Sequence, residues 1–287
     1  MSYSDKALDI ASSLAQIRIN HSQFRDALEG VGRVIQLGNR LREPIGVSVI
    51  APSGAGKSLI IECVQKNICD WSFIRPNSVL VASLKEAPTV AQIQDDLLAN
   101  FNYAITPRST RQTNAATYNV LVSGIKQHDI RLIALDEYQH VFLARKAEVY
   151  AAVNDWLKKL MTQTRVPVLL VGTETLRGIE KADPQLSTRI AAIFNLTEFH
   201  NDTDWRALLV AFADAAKDID LSALPEKYAT SMHKATQGIF RTLKTLIIEA
   251  AMITIDAGGR VVEKDHLRIG FHRMVGPGSS KVNPFAK

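Results

Sequence analysis

The 287-residue chain has little of several things, beginning with cysteine: only Cys63 and Cys69, six residues apart in a stretch that reads as one helix. At that spacing their side chains do not share a face, so neither a disulfide framework nor a thiolate metal site follows. Long hydrophobic runs are missing too. No window approaches the ~18 consecutive apolar residues of a membrane span, and Asp5 and Lys6 stand where a secretory apolar core would lie. A cytoplasmic protein with no membrane partner is therefore expected. Charge of one sign is in short supply, with 34 Lys+Arg against 29 Asp+Glu and a net charge of +5, which by itself selects no acidic partner. What is present is a chain that is 46% hydrophobic, ample for a buried core and incompatible with wholesale disorder or a fibrous repeat.

Along the chain, residues 1–45 read as a helical arm, with Ala7, Ile10, Leu14 and Ile17, then Phe24, Leu28, Val31 and Ile35, at helical spacing. Glu43-Pro44 closes it. Five short apolar runs of the buried parallel-strand kind follow, separated by helical stretches: Val47 to Ala51, Val79 to Leu84, Leu132 to Leu135, Val166 to Val171 and Ile193 to Phe199. This alternation predicts an α/β domain over 46–200. Asn201-Asp202-Thr203 then supplies a helix N-cap, and the pattern over 201–275 is wholly helical. Gly276-Pro277-Gly278-Ser279-Ser280 opens a tail, 276–287, expected to be flexible and basic, either a solvated end or a basic arm for DNA or a partner protein.

Chemistry enters directly after the first strand. Ala51-Pro52-Ser53-Gly54-Ala55-Gly56-Lys57-Ser58 precedes an apolar helical run, the setting of a phosphate-binding P-loop. Ser53 to Ser58 would wrap the phosphates with backbone N–H groups, Lys57 would put a cation on the β/γ-phosphates, and the Ser58 hydroxyl would ligate Mg²⁺. Ala51 stands where the pattern has its first glycine. The segment Arg131-Leu132-Ile133-Ala134-Leu135-Asp136-Glu137 carries two acids at a strand's carboxyl end, Asp136 for the metal and Glu137 as general base for the attacking water. Val171-Gly172-Thr173 ends the fourth strand with a hydroxyl that either orients water near the γ-phosphate or caps the next helix. Arg189, before the fifth strand, and Arg241, in Gly238-Ile239-Phe240-Arg241, are arginines for transition-state charge or else surface ion-pair partners.

Together these motifs resemble an AAA+ ATPase, and Val168 to Thr173 with Gln185 to Arg189 are similar to the TniB/TnsC transposition ATPases, over about residues 15 to 270. The resemblance implies a five-stranded parallel sheet with helices on both faces plus a small C-terminal helical lid. It also implies an ATPase using ATP and Mg²⁺, with nucleotide between subunits of a ring or helical filament around double-stranded DNA. Its partners would be a transposase and a target-selection protein of the TniQ type. Thr173 would be the first sensor, Arg189 the finger offered to a neighbour, and Arg241 the second sensor. A helicase loader and a nucleotide-gated interaction protein that never touches DNA are the rival readings.

No carboxylate occurs from Leu97 to His128, which includes the polar, basic stretch Thr106 to Thr113. Arg with Ser and Thr suits phosphate oxygens, so Arg108, Thr110 and Arg111 are expected on the DNA backbone, with Arg145 and Lys146 as helpers.

Overall fold

A computed structural model describes residues 3–75, 77–101, 114–143 and 147–286. The chain divides into two compact units, one of residues 23–196 and one of residues 1–22 with 197–287.

In the first unit, α2 (Ser22–Leu41) leads to β1 (Gly46–Ile50) and α3 (Lys57–Gln65). There follow β2 (Val79–Ser83), α4 (Val90–Ala99), α5 (Asn114–Gln127), β3 (Leu132–Asp136), α6 (Gln139–Phe142), α7 (Ala147–Thr164) and β4 (Val168–Gly172). A 3₁₀ turn at Glu174–Gly178, two one-turn helices, α8 (Ile179–Ala182) and α9 (Pro184–Ser187), and β5 (Ile190–Asn195) complete it. All strand pairs are parallel, in the order β2-β3-β4-β1-β5. The central strands read as continuous apolar runs because both faces are covered. Leu132, Ala134, Leu169 and Val171 pack toward α2 and α3, while Ile133, Leu135, Val168 and Leu170 pack toward α4, α5 and α7.

The fifth strand begins three residues earlier than expected, at Ile190 instead of Ile193, and ends at Asn195 instead of Phe199. It is an edge strand, so half-buried and exposed residues alternate along it, and the short side chains Ala191 and Ala192 hid its start. Phe199 instead belongs to the core of the other unit. The helix carrying Cys63 ends at Gln65, and Asn67 turns with positive φ before Cys69, so the two cysteines do not share one helix.

The second unit is helical: α1 (Asp5–Gln16), α10 (Thr203–Ala215), α11 (Ala229–Thr236), α12 (Phe240–Asp256) and α13 (Lys264–Val275). Asp202 caps α10 as its sequence suggests, accepting from Asp204 N–H at 3.0 Å and Trp205 N–H at 3.2 Å. Residues 1–45, read as one arm, divide between the units. The buried stripe Ala7, Ile10 and Leu14 joins the core formed by Trp205, Phe212, Leu246 and Phe271, and Lys244 Nζ caps the end of α1 by donating to Ile17 O at 2.9 Å. Residues 276–286 also depart from expectation. Phe285 is 1% exposed in that core, and Asn283 Nδ2 donates to Arg268 O at 2.9 Å, so one aromatic anchors a segment whose Gly, Pro and Ser content suggested a flexible end. Among the described residues no helix is long and apolar enough to cross a membrane.

The turn into α12 depends on Gly238, whose φ is +71° and whose carbonyl accepts Phe199 N–H at 3.0 Å. A Cβ there would stand 2.0 Å from Phe199 O, whereas one at Gly258, with φ +76°, would meet nothing within 4 Å. Gly258→Ala should cost about 1 kcal/mol, the left-handed backbone penalty alone. Gly238→Ala should cost at least about 3 kcal/mol by adding steric displacement of the backbone; equal losses in denaturant unfolding would contradict this account.

Candidate nucleotide site

β1 delivers the chain to the carboxyl edge of the sheet, where Ala51 continues the strand, fully buried, with its N–H donating to Gly172 O at 2.9 Å. Alanine suits this position because the segment is still strand-like and holds no turn that would need glycine. The turn comes next. Gly54 and Gly56 have φ of +87° and +100°, and Gly56 is the N-cap of α3 with no side chain to satisfy the helix's first N–H groups. Those donors converge at a helix N-terminus where an anion is favoured. Lys57 is 6% exposed, and its ammonium donates to Ala51 O at 3.2 Å and Pro52 O at 3.5 Å within the loop.

Across the crevice, Ser58 Oγ donates to Asp136 Oδ2 at 3.1 Å. Burial raises the Asp136 pKa above the ordinary carboxylate value, and the neighbouring Glu137 charge adds to this; hydrogen bonds from Glu137 N–H and Ser58 and the Lys57 charge oppose it. Two hard oxygen donors in contact, one a carboxylate penalised by burial, are a donor set that fits Mg²⁺.

Glu137 has φ +54°, a left-handed conformation that costs a non-glycine residue about 1–2 kcal/mol. The surroundings enforce it: Glu137 N–H donates to Asp136 Oδ1 at 2.8 Å, Tyr138 N–H to Val171 O at 2.9 Å, and the buried Tyr138 hydroxyl to Asn154 Oδ1 at 2.7 Å. The Glu137 carboxylate accepts from Gln139 Nε2, and Gln139 Oε1 accepts Thr173 N–H at 3.2 Å. Gln139 was not anticipated from the sequence. Its signal was a polar residue two places after the acid pair, together with Gly172, where a Cβ would stand 2.6 Å from Gln139 Oε1.

Thr173 occupies the N-cap position of the 3₁₀ turn, yet its side chain makes no capping bond and reaches the Thr175 hydroxyl at 3.4 Å. The hydroxyl therefore leaves the backbone N–H groups of the turn uncapped and meets the turn at one side chain. Arg189 lies elsewhere. It precedes β5, and β5 runs parallel to β1 from the pair Gly46↔Ile190 to the pair Ile50↔Asn195, so Arg189 stands at the amino edge, about 16 Å of strand from the P-loop. Its Nη1 donates to Lys158 O at 2.6 Å and Thr162 Oγ1 at 3.0 Å on α7. Arg241 is exposed in the first turn of α12, in the helical unit. Arg108, Thr110, Arg111, Arg145 and Lys146 lie outside the described residues. The helical unit contains a cavity of about 720 Å³ lined by Arg206, Lys217, Asp220, Glu226 and Arg260 among others, with none of the expected site residues.

A parallel sheet of order β2-β3-β4-β1-β5, a P-loop after β1 and an Asp-Glu pair after β3 define an AAA+ P-loop NTPase fold. Within that class the chain belongs to the TniB family, since the model of the bacterial TniB protein matches residues 11–200. No curated protein matches the chain. Similar solved structures include the Aeropyrum pernix ORC2 protein in its ADPNP–ADP complexes, at 15% identity and TM-score 0.68, covering 94% of this chain and 72% of that one. Cdc6p from Pyrobaculum aerophilum is similar at 14% identity and TM-score 0.63, with 94% and 72% covered. Drosophila ORC bound to DNA is similar at 13% identity and TM-score 0.64, with 96% and 68% covered. At these identities the likeness is one of fold.

Because burial raises the Asp136 pKa on folding, the nucleotide-free protein loses stability as pH rises from the ordinary carboxylate range through the raised value. Asp136→Asn should therefore raise the thermal midpoint of the nucleotide-free protein at neutral pH and remove any further rise on adding ATP with Mg²⁺. A lower midpoint with the Mg²⁺-dependent rise retained would contradict the assignment.

Proposed function

We propose that this chain is a cytoplasmic, ATP-dependent regulator of transposition that assembles on duplex DNA with little regard to sequence and recruits or activates a transposase. The observation that carries the reading is the placement of Arg189 at the opposite edge of the sheet from the P-loop. A guanidinium there, which donates to Lys158 O and Thr162 Oγ1 on α7, is too far to serve its own phosphate site, and in this reading it leaves those bonds to serve a neighbouring copy. Membership of the TniB family supports the transposition role. Binding of a target-selection protein of the TniQ type belongs to the same proposal.

In this reading Lys57 and the N–H groups of the loop hold the phosphates of ATP, and Ser58 and Asp136 hold Mg²⁺, which supplies charge neutralisation on the phosphate oxygens. Glu137 takes the proton of the attacking water as its oxygen bonds to the γ-phosphorus and the bridging oxygen departs with ADP. Thr173 orients that water, Arg241 acts as second sensor, and Arg189 of the adjacent copy meets the developing charge. Bound ATP then assembles subunits, and hydrolysis takes them apart. Arg108, Thr110 and Arg111, with Arg145 and Lys146, would track the DNA backbone.

Electron microscopy with duplex DNA and a slowly hydrolysed ATP analogue tests the whole reading, with rings or helices around the duplex expected and free monomers counting against it. Arg189→Ala should bind nucleotide normally as a monomer yet lose about 10³-fold in turnover at saturating protein; a normal rate there rules out a finger in trans. Replacing Arg108 and Arg111 together by Ala should reduce the slope of log affinity against log salt by about 2, at roughly 0.9 per phosphate contact. An unchanged slope removes these residues from the DNA interface.

A further inference from the structure

Gln139 is 5% exposed, and both ends of its amide are used. The oxygen accepts Thr173 N–H at 3.2 Å, and the nitrogen donates to the Glu137 carboxylate. The two partners demand opposite capacities, since a backbone N–H needs an acceptor and a carboxylate needs a donor. A primary amide at this reach supplies both in one orientation. Glutamate would offer acceptors alone, leucine neither, and asparagine falls one methylene short.

The surroundings give this bridge room and rigidity. Gly172 has no side chain where Gln139 Oε1 stands, because a Cβ would lie 2.6 Å from that oxygen. Tyr138, between the bridged residues, is fixed by its N–H on Val171 O and its hydroxyl on Asn154. The Glu137 backbone is held in its left-handed turn by the Asp136 carboxylate. The Glu137 side chain itself has three rotatable bonds, and among the hydrogen bonds of the described residues the one that holds its carboxylate comes from Gln139. A base must stand at a fixed place relative to its water for proximity to contribute to rate.

We propose that Gln139 is the positioning residue of the hydrolytic centre, a latch that ties the Glu137 carboxylate to the end of β4 beside Thr173. The inference rests on the reading of Glu137 as the general base. Through the latch the base and the Thr173 hydroxyl are placed by one strand end, so the two groups that face the attacking water keep a constant separation. Gln139 touches neither water nor phosphate in this role and acts through Glu137.

The test is steady-state and single-turnover ATP hydrolysis on duplex DNA at saturating protein, with binding of a fluorescent ATP analogue measured in parallel. Gln139→Leu removes both bonds, and Gln139→Glu keeps the reach while removing the donor. Each should lower kcat by about 10- to 100-fold and leave KM and analogue affinity within about twofold. In a Glu137→Gln background, Gln139→Leu should cause no further loss, because a residue that acts only through the base has nothing left to position. Unchanged kcat in both variants overturns the proposal, as does a fall in analogue affinity that parallels kcat or a full additional loss in the double variant. Wild-type protein without turnover would overturn the hydrolytic reading and the latch with it; turnover that depends on Glu137 and ignores Gln139 overturns the latch alone.

Discussion

The hydrogen bond from Ser58 to Asp136 joins the ends of two strands that never pair. Ser58 hangs from β1 through the P-loop and Asp136 ends β3, with β4 between them in the sheet. Such a crossing is possible only where the strand order leaves a crevice at the carboxyl edge. The phosphate-site groups of the first unit gather around this bond, with the P-loop and Lys57 on one side and Glu137 on the other, while Arg189 stands apart at the amino edge. The sheet's hydrophobic core fixes the strand ends, and the strand ends fix the polar groups. A buried carboxylate there is unfavourable for the protein on its own and becomes useful with a cation beside it.

Much of this was legible in the sequence because the signals are local. The three central strands β1, β3 and β4 are apolar runs as a consequence of being covered on both faces, and Gly54, Gly56, Lys57 and Ser58 follow β1 within a few residues. Asp136 and Glu137 sit at the end of another such run. The N-cap of α10 could be read from Asn201-Asp202-Thr203 for the same reason, since capping involves neighbours two or three residues away.

What escaped depends on contacts distant in sequence or on patterns diluted by composition. The edge strand β5 was displaced because two alanines carry little hydrophobic signal. Phe285 was overlooked because one aromatic outweighs the Gly and Pro before it only when a core is waiting to receive it. Gln139 is the sharper case. As a residue type it reads as surface, and only the arrival of Thr173 N–H from 34 positions away gives its oxygen a reason to be buried. Gly172 was read as part of a motif, and its physical reason turns out to be the space that this oxygen takes.

The division of the chain has a consequence for how it is made. The sheet unit is one uninterrupted segment, 23–196, inserted between α1 and the remaining helices of the other unit. α1 is thus synthesised before the sheet unit and finds its packing partner α12 only after residue 240, a delay on the order of ten seconds or more at ordinary elongation rates. During that interval the apolar stripe Ala7, Ile10 and Leu14 is without the partners it packs on in the finished unit. All the residues of the P-loop, β3 and β4 are synthesised before the helix that carries Arg241.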